Sequence, residues 1–326
     1  MAPKTPDGLL HALLLDRNGG ASPLDPGDIE KWRREDGLLW LHLDVAEKLP
    51  VKWMRTTLGL ERVVVEALNA DETRPRSLGV GDGLLTVLRG VNMNPGEDPE
   101  DMVSIRLWIE RDRIVSTRRR KLLSVQDLKE QLQLGTGPKT SGEFLASLIG
   151  RLADRIGGFF ETIEENLSSI EEAGPDQTVQ TRRQSLAALR RQIASVRRFI
   201  APQRDALDRL YRNPGTLLSD AEANSLREEA DRVTRYLEDL DLARERAVVL
   251  QEELLNELAQ QQNTRMYVLS VVAAIFLPLT FVTGLLGMNV GGLPGVESPE
   301  GFLIAVVVMA VTSAALLTYF RYRKWL

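Results

Sequence analysis

Two hydrophobic periodicities alternate along the first part of the chain, and two unbroken apolar runs close it. Within residues 1–140, stretches rich in Leu, Val, Ile and Trp at 9–15, 38–45, 84–91, 102–110 and 113–117 predict strands. Residues 53–58 and 62–69 have the spacing of short helices, and residues 92–101, with two Pro and one Gly, predict a loop between strands. Gly79-Val80-Gly81-Asp82-Gly83 has the glycine content of a phosphate loop. No Lys-Ser/Thr follows it, however, and it precedes a strand rather than a helix, so a turn is expected. These elements make residues 1–140 an α/β domain with a mixed sheet.

Helical spacing takes over from residue 141. Residues 144–172 predict one helix, stopped near Gly174-Pro175, and residues 181–212 a second, stopped by Asn213-Pro214-Gly215. The second carries Arg182, Arg183, Arg190, Arg191, Arg197, Arg198, Arg204, Arg209 and Arg212 against Asp205 and Asp208. Ser219 then predicts an N-cap, with Asp220 and Glu222 in the first turn. No Pro or Gly interrupts residues 221–277. Roughly 65 residues at about 1.5 Å each predict one helix of about 100 Å, running from a stalk directly into the first apolar run. Its first half is acidic, with Glu228, Glu229, Asp231, Glu238, Asp239, Asp241, Glu245, Glu252, Glu253 and Glu257. An Arg-rich helix followed by an acidic one predicts an antiparallel pair laced by ion pairs, each exposed pair contributing at most about 1 kcal/mol. Residues 141–265 thus read as a helical bundle and stalk.

Residues 266–287 and 302–320 contain no Asp, Glu, Lys or Arg. Each run is close to the ~20 residues with which a helix crosses about 30 Å of hydrocarbon. The connecting residues 288–301 hold Glu297 and Glu300 and no Lys or Arg, whereas the tail 321–326 holds Arg321, Arg323 and Lys324, and Arg265 precedes the first run. The bias of positive charge puts both termini in the cytoplasm and the short loop outside. Tyr267, Tyr319, Tyr322 and Trp325 stand where aromatic side chains anchor at the membrane interface. The fold class expected is an α/β cytoplasmic domain, a long-helix stalk and two C-terminal transmembrane helices in a lipid bilayer.

Composition narrows the chemistry. The chain has 326 residues, no Cys and two His, which excludes disulfides, thiol nucleophiles and thiolate metal centres and leaves no His-rich zinc enzyme site. A net charge of −5 argues against a nucleic-acid partner. No catalytic motif appears, and an enzyme is not expected. His42, between Leu41 and Leu43 in a strand, reads as a structural histidine rather than a ligand.

The first span has two unlike faces. Asn263, Met266, Ser270, Ala273, Leu277, Thr280 and Gly284 recur at alternating spacings of three and four residues. That stripe is small, polar or flexible, while Val268, Val271, Val272, Ile275, Leu279, Val282 and Leu286 suit lipid or a second helix. Such a stripe serves either a pore or ordinary helix packing. One span encloses no channel, so a pore requires several copies. Pro278 removes a backbone donor and frees the carbonyl of Ala274, which neighbours or pore water can satisfy.

The stripe leads to Gly287-Met288-Asn289 between the two apolar runs. A long helix feeding the first of two C-terminal spans, with Gly-Met-Asn at its outer end, resembles the CorA superfamily of divalent-cation transporters. The string from Phe281 to Gly295, with Leu286 before Gly-Met-Asn and Gly291-Gly292-Leu293-Pro294-Gly295 after it, looks more like the ZntB zinc-transporter branch. Asp71-Glu72-Thr73-Arg74-Pro75-Arg76 also resembles a Glu-x-Arg-Pro segment of that family.

The resemblance implies a homopentamer in the inner (plasma) membrane, with a cytoplasmic funnel and a central pore. It holds no resident cofactor, and a divalent cation, Zn²⁺ before others, is its cargo. Gly287, Met288 and a ring of Asn289 side chains would then form the outer mouth, the carboxamides holding a hydrated ion through its waters. Glu297 and Glu300 either raise the local cation concentration or form a solvated loop. Thr280 and Thr283 would offer hydroxyl contacts, and Leu277 and Met266 apolar constrictions that gate by dewetting. Without Cys, and without His near the spans, discrimination among Zn²⁺, Ni²⁺, Cd²⁺, Co²⁺ and Mg²⁺ should be poor. Coupling to a proton gradient is implied by the resemblance alone, since the spans show no carboxylate or histidine relay. A Mg²⁺/Co²⁺ channel of the same fold is the alternative, and a membrane-anchored sensor or scaffold the remote one.

Overall fold

The computed structural model describes residues 8–46, 50–71, 73–173, 177–212, 217–288 and 299–323. Outside them lie Glu72, Asn289, Glu297, Lys324, Trp325, the helix stops at Gly174-Pro175 and Asn213-Pro214-Gly215, and the glycines and proline of residues 291–295.

Seven strands form one mixed sheet: β1 (Leu9–Leu15), β2 (Ala21–Pro23), β3 (Leu38–Asp44), β4 (Arg76–Val80), β5 (Gly83–Gly90), β6 (Val103–Ile109) and β7 (Arg113–Arg118). Their order is β2-β1-β3-β7-β6-β5-β4, with β3 and β7 parallel and the other neighbours antiparallel. The expected strands are all present, and β2 and β4 are additional edge strands. Gly81 and Asp82 make the two-residue β4–β5 turn, with Gly81 at φ +56°, so the glycine cluster is a hairpin and not a phosphate loop.

Short helices α1 (Val51–Thr56) and α2 (Arg62–Asn69) cover one face of the sheet. Leu39, Leu41 and Leu43 of β3 share a core there with Met54, Val64, Val65 and Leu68, each burial contributing roughly 1.5–3 kcal/mol. On the other face, Trp40 meets Phe144 edge-on with ring centroids 4.8 Å apart. Phe144 belongs to α4 (Ser141–Glu171), which follows α3 (Leu123–Gln133). Gly90 lets α4 come close, because a Cβ there would lie 2.6 Å from Leu152 Cδ2. Thr140 caps α4, its hydroxyl accepting the Glu143 N–H at 3.0 Å, while Glu143 accepts the Lys139 N–H at 2.7 Å.

Two longer helices follow, α5 (Val179–Arg212) and α6 (Asp220–Leu286). Arg197 of α5 donates to Asp241 of α6 at 3.1 Å, as the charge pattern predicts. Two arginines of α6 run differently from that expectation. Arg232 reaches Asp154 at 2.6 Å, and Arg246 reaches Glu164 at 2.6 Å and Glu171 at 2.7 Å, all on α4. The acidic helix is therefore held largely through its own arginines, and α4 supplies the carboxylates. Charge counting missed this because net charge along a helix does not say which face carries the minority sign.

Contacts divide the chain into a unit of residues 1–251 and a unit of residues 252–326. The second contains the last part of α6 and α7 (Gly301–Tyr322), both long and apolar enough to cross a membrane. Many of its large apolar side chains stay exposed, with Leu269 and Phe281 at 69% and Phe302 at 83%, while Leu254 and Phe320 are buried.

Candidate functional site

The stripe proposed to line a pore lies wholly on α6. Asn263, Met266, Ser270, Leu277, Thr280 and Gly284 are exposed, and Ala273 is half-shielded. On the other face, Val271, Ile275, Leu279 and Val282 are half-shielded, whereas Val268, Val272 and Leu286 are exposed. On α7 a matching half-shielded line runs through Ala305, Met309, Thr312 and Leu316. Each span thus has one face partly covered within the chain, and the stripe falls mostly outside it. Helix α6 continues through Pro278 as far as Leu286.

Hydrogen bonding decides what the hydroxyls offer. Thr280 Oγ1 donates its proton to the carbonyl of Phe276 at 2.8 Å, and Thr283 Oγ1 to that of Thr280 at 3.0 Å. With the proton turned back onto the helix, each oxygen keeps lone pairs free to accept from an ion's water or to face the ion itself.

The helix closes at the glycine. Gly287 N–H still bonds the Thr283 carbonyl at 2.9 Å, and Met288 N–H tightens to Leu285 at 3.4 Å. A Cβ on Gly287 would stand 3.0 Å from the Thr283 carbonyl oxygen, so a larger residue would crowd this last turn. Met288 is exposed. Asn289 and Glu297 lie outside the described residues. Glu300 precedes α7, and its carbonyl accepts the Ile304 N–H at 3.0 Å.

Sequence reasoning could not say which stalk carboxylates face outward. Asp231, Glu238 and Glu245 are exposed at seven-residue intervals on α6, on the side away from buried Val233, Leu240 and Ala247. A search for this spacing, which falls in step with the stripe of the span, would have found them. Among the described residues no group of three or more His, Asp or Glu is placed to hold a metal ion.

The Asp71–Arg76 segment is anchored to the sheet. Buried Arg106 donates to the carbonyls of Ala70 at 2.7 Å and Asp71 at 3.3 Å, and Arg89 to that of Thr73 at 3.0 Å. Burial, reinforced by Arg119 and Arg89, pushes the Arg106 guanidinium down to about 10.

A sequence model described as "CorA-like Mg2+ transporter protein" matches residues 35–323. The chain belongs to the CorA-like family. Among its CorA-like relatives, the divalent cation transporter CmaX of Pseudomonas aeruginosa is 38% identical over 322 residues, covering 98% of this chain and 97% of that protein. The zinc transport protein ZntB of Pectobacterium atrosepticum is 34% identical over 319 residues, covering 98% and 96%. The structure of full-length CmaX covers all of both chains with a TM-score of 0.83 at 37% identity. The CorA magnesium transporter of Methanocaldococcus jannaschii shares the fold, with a TM-score of 0.82 at 16% identity over 97% of this chain and 99% of that one. The CorA-like fold therefore extends over the α/β domain, the long helix and both apolar helices.

Proposed function

We propose that this protein transports divalent cations across a membrane, through a path lined by the α6 stripe of several copies of the chain, and that Zn²⁺ is its principal cargo. The observation that carries the reading is the full-length relation to transporters of divalent cations and zinc, at 38% and 34% identity. The stripe supplies the physics. A single helix encloses nothing, so its exposed hydroxyls, small residues and Leu277 line a path only when copies meet around an axis. On the family resemblance, that assembly would be a pentamer in the inner membrane, with both termini in the cytoplasm. Asn289 would then ring the outer mouth and hold the ion through its waters. The carboxylates of Asp231, Glu238 and Glu245 would raise the cation concentration at the inner end.

Zinc selectivity rests on no soft ligand. Oxygen contacts to a hydrated ion discriminate weakly among first-row divalent metals, so Co²⁺, Ni²⁺ and Cd²⁺ should compete. Import of zinc driven by a proton gradient is the finer form of the proposal. The second reading is a Mg²⁺ channel, supported by the description of the family.

Both readings meet one test. Purified protein in liposomes is loaded with zinc- or magnesium-sensitive dye, with and without an inward proton gradient. Zinc entry that rises with the gradient and falls in Asn289→Ala supports the proposal. Magnesium entry indifferent to pH would replace it with the channel reading, and no flux of either ion in folded, assembled protein would overturn both.

A further inference from the structure

The chain's two histidines form a pair that lies off the proposed ion path. On β1 the register shifts between Leu9 and His11, so that Leu9 faces Leu43 but His11 faces His42. This bulge sets both imidazoles opposite each other on one face of the sheet. Their ring centroids are 5.1 Å apart, and Trp40 packs edge-on against His11 at 4.6 Å. His42 is 2% exposed.

One hydroxyl joins His42 to its neighbours. Ser116 Oγ accepts from Trp40 Nε1 at 2.8 Å, donates to the Leu41 carbonyl at 3.2 Å and stands 2.7 Å from His42 Nδ1. The Nε2 atoms of His42 and of His11 are both buried and without a hydrogen-bond partner.

Both imidazoles line a cavity of about 310 Å³. Arg118 at the end of β7, and Lys121 and Lys129 from the α3 region, complete its cationic wall, with Glu130 the carboxylate on its border. Arg118 is only loosely engaged by Asp44, at 3.4 Å. Burial first, and then the charges of Lys129 and Arg118, lower the His11 pKa to about 4; burial, followed by His11, Arg118 and Lys129, lowers that of His42 well below 6.5. A positive potential at two neutral imidazoles repels a metal ion and attracts an anion.

We propose that this cavity binds a small phosphate-bearing anion, held by the cations of Arg118, Lys121 and Lys129 beside the imidazoles of His11 and His42. The site lies in the α/β domain, far along the chain from the spans, and stands independently of which cation is transported. Its size suits a phosphate or pyrophosphate group rather than a whole large ligand. A free phosphate compound and a lipid headgroup offer the same chemistry.

The test uses the full-length protein in detergent, free of any histidine tag and of divalent metal. With two histidines in the chain, ¹⁵N-histidine labelling reports this pocket alone. Inorganic phosphate, pyrophosphate and glycerol 3-phosphate are titrated separately, by nuclear magnetic resonance and by calorimetry. Pyrophosphate should shift the Nε2 signals, and Lys129→Gln should weaken its binding about tenfold, as loss of one charge-assisted contact implies. Lys121→Gln, on an exposed side chain, is the second variant and should weaken it in the same direction. Tighter binding of glycerol 3-phosphate than of pyrophosphate would assign the site to a headgroup. Histidine signals unmoved by all three anions would overturn the proposal, as would binding that both variants leave unchanged. Zinc shifting the Nε2 signals where the anions do not would replace it with a metal-binding pair.

Discussion

The α/β domain and the two apolar helices treat their hydrophobic side chains in opposite ways. In the sheet, Trp40, Leu41 and Leu107 are fully buried by their own chain. In the spans, Leu269, Phe281 and Phe302 remain largely exposed, although these helices are the most apolar part of the sequence. The first region completes its core alone. The second leaves these side chains uncovered by its own chain, and under the proposed function lipid or other copies would cover them. Hydrophobicity alone therefore does not say where a core lies. What decides is whether the surrounding elements can cover the residue.

Substitutions break or sharpen this contrast, and the largest effect is expected in the sheet. Leu107→Ala should destabilise the protein by about 2–5 kcal/mol in denaturant unfolding of the full chain in detergent. A loss below about 1 kcal/mol would mean that the sheet core is less well packed than its burial indicates.

Acid should act next, and in the range above the carboxylate pKa values chiefly on the α/β domain. His11 and His42 are held neutral by burial and by Lys129 and Arg118, with Lys121, Glu130 and Asp44 also nearby. The unfolded chain then binds more protons below the ordinary histidine pKa, so stability falls as pH drops from about 6.5 toward 4. Thermal unfolding followed over that window should show the loss, and His11→Gln should flatten it. An unchanged slope in the variant would contradict the assignment.

Removing the α4 cap with Thr140→Ala should cost about 1 kcal/mol, and Arg246→Ala, which breaks two half-exposed bridges to α4, no more than about 1 kcal/mol. The smallest effect should come from the span. Leu269→Ala is expected to change stability by less than about 0.5 kcal/mol if that side chain faces lipid. A loss as large as that of Leu107→Ala would place Leu269 in a packed contact between copies.

Much of this was legible in the sequence, for particular reasons. The β3 strand announces itself through a near-continuous apolar run and β6 through alternating apolar positions that end in Leu-Trp-Ile, because both their faces are largely covered. The α6 helix was legible because nothing in it interrupts helical spacing before Pro278, and even that proline does not end it. Strand β2 is three residues long and β4 carries Ser77 and Gly79, so neither shows an apolar pattern. Helix α3 hides behind alternating polar residues with buried Val125, Leu128 and Leu132. The pairing of α6 with α4 depends on which faces meet, which linear charge density does not encode. The α6 stripe was readable as a period. That its residues are uncovered became visible only once the helices were in place, and the contact of His42 with Ser116, 74 residues away, only once the strands were paired.

The central claim, that the α6 stripe lines the ion path, is tested most directly by thiol accessibility. The chain contains no cysteine, so a single introduced thiol has no background. Ser270→Cys and Thr280→Cys on the stripe are compared with Val272→Cys on the other face, in liposomes taking up zinc. A charged thiol reagent should block uptake through the first two and leave the third unaffected. Block at Val272 alone, or equal indifference at all three positions in transporting protein, would contradict the account.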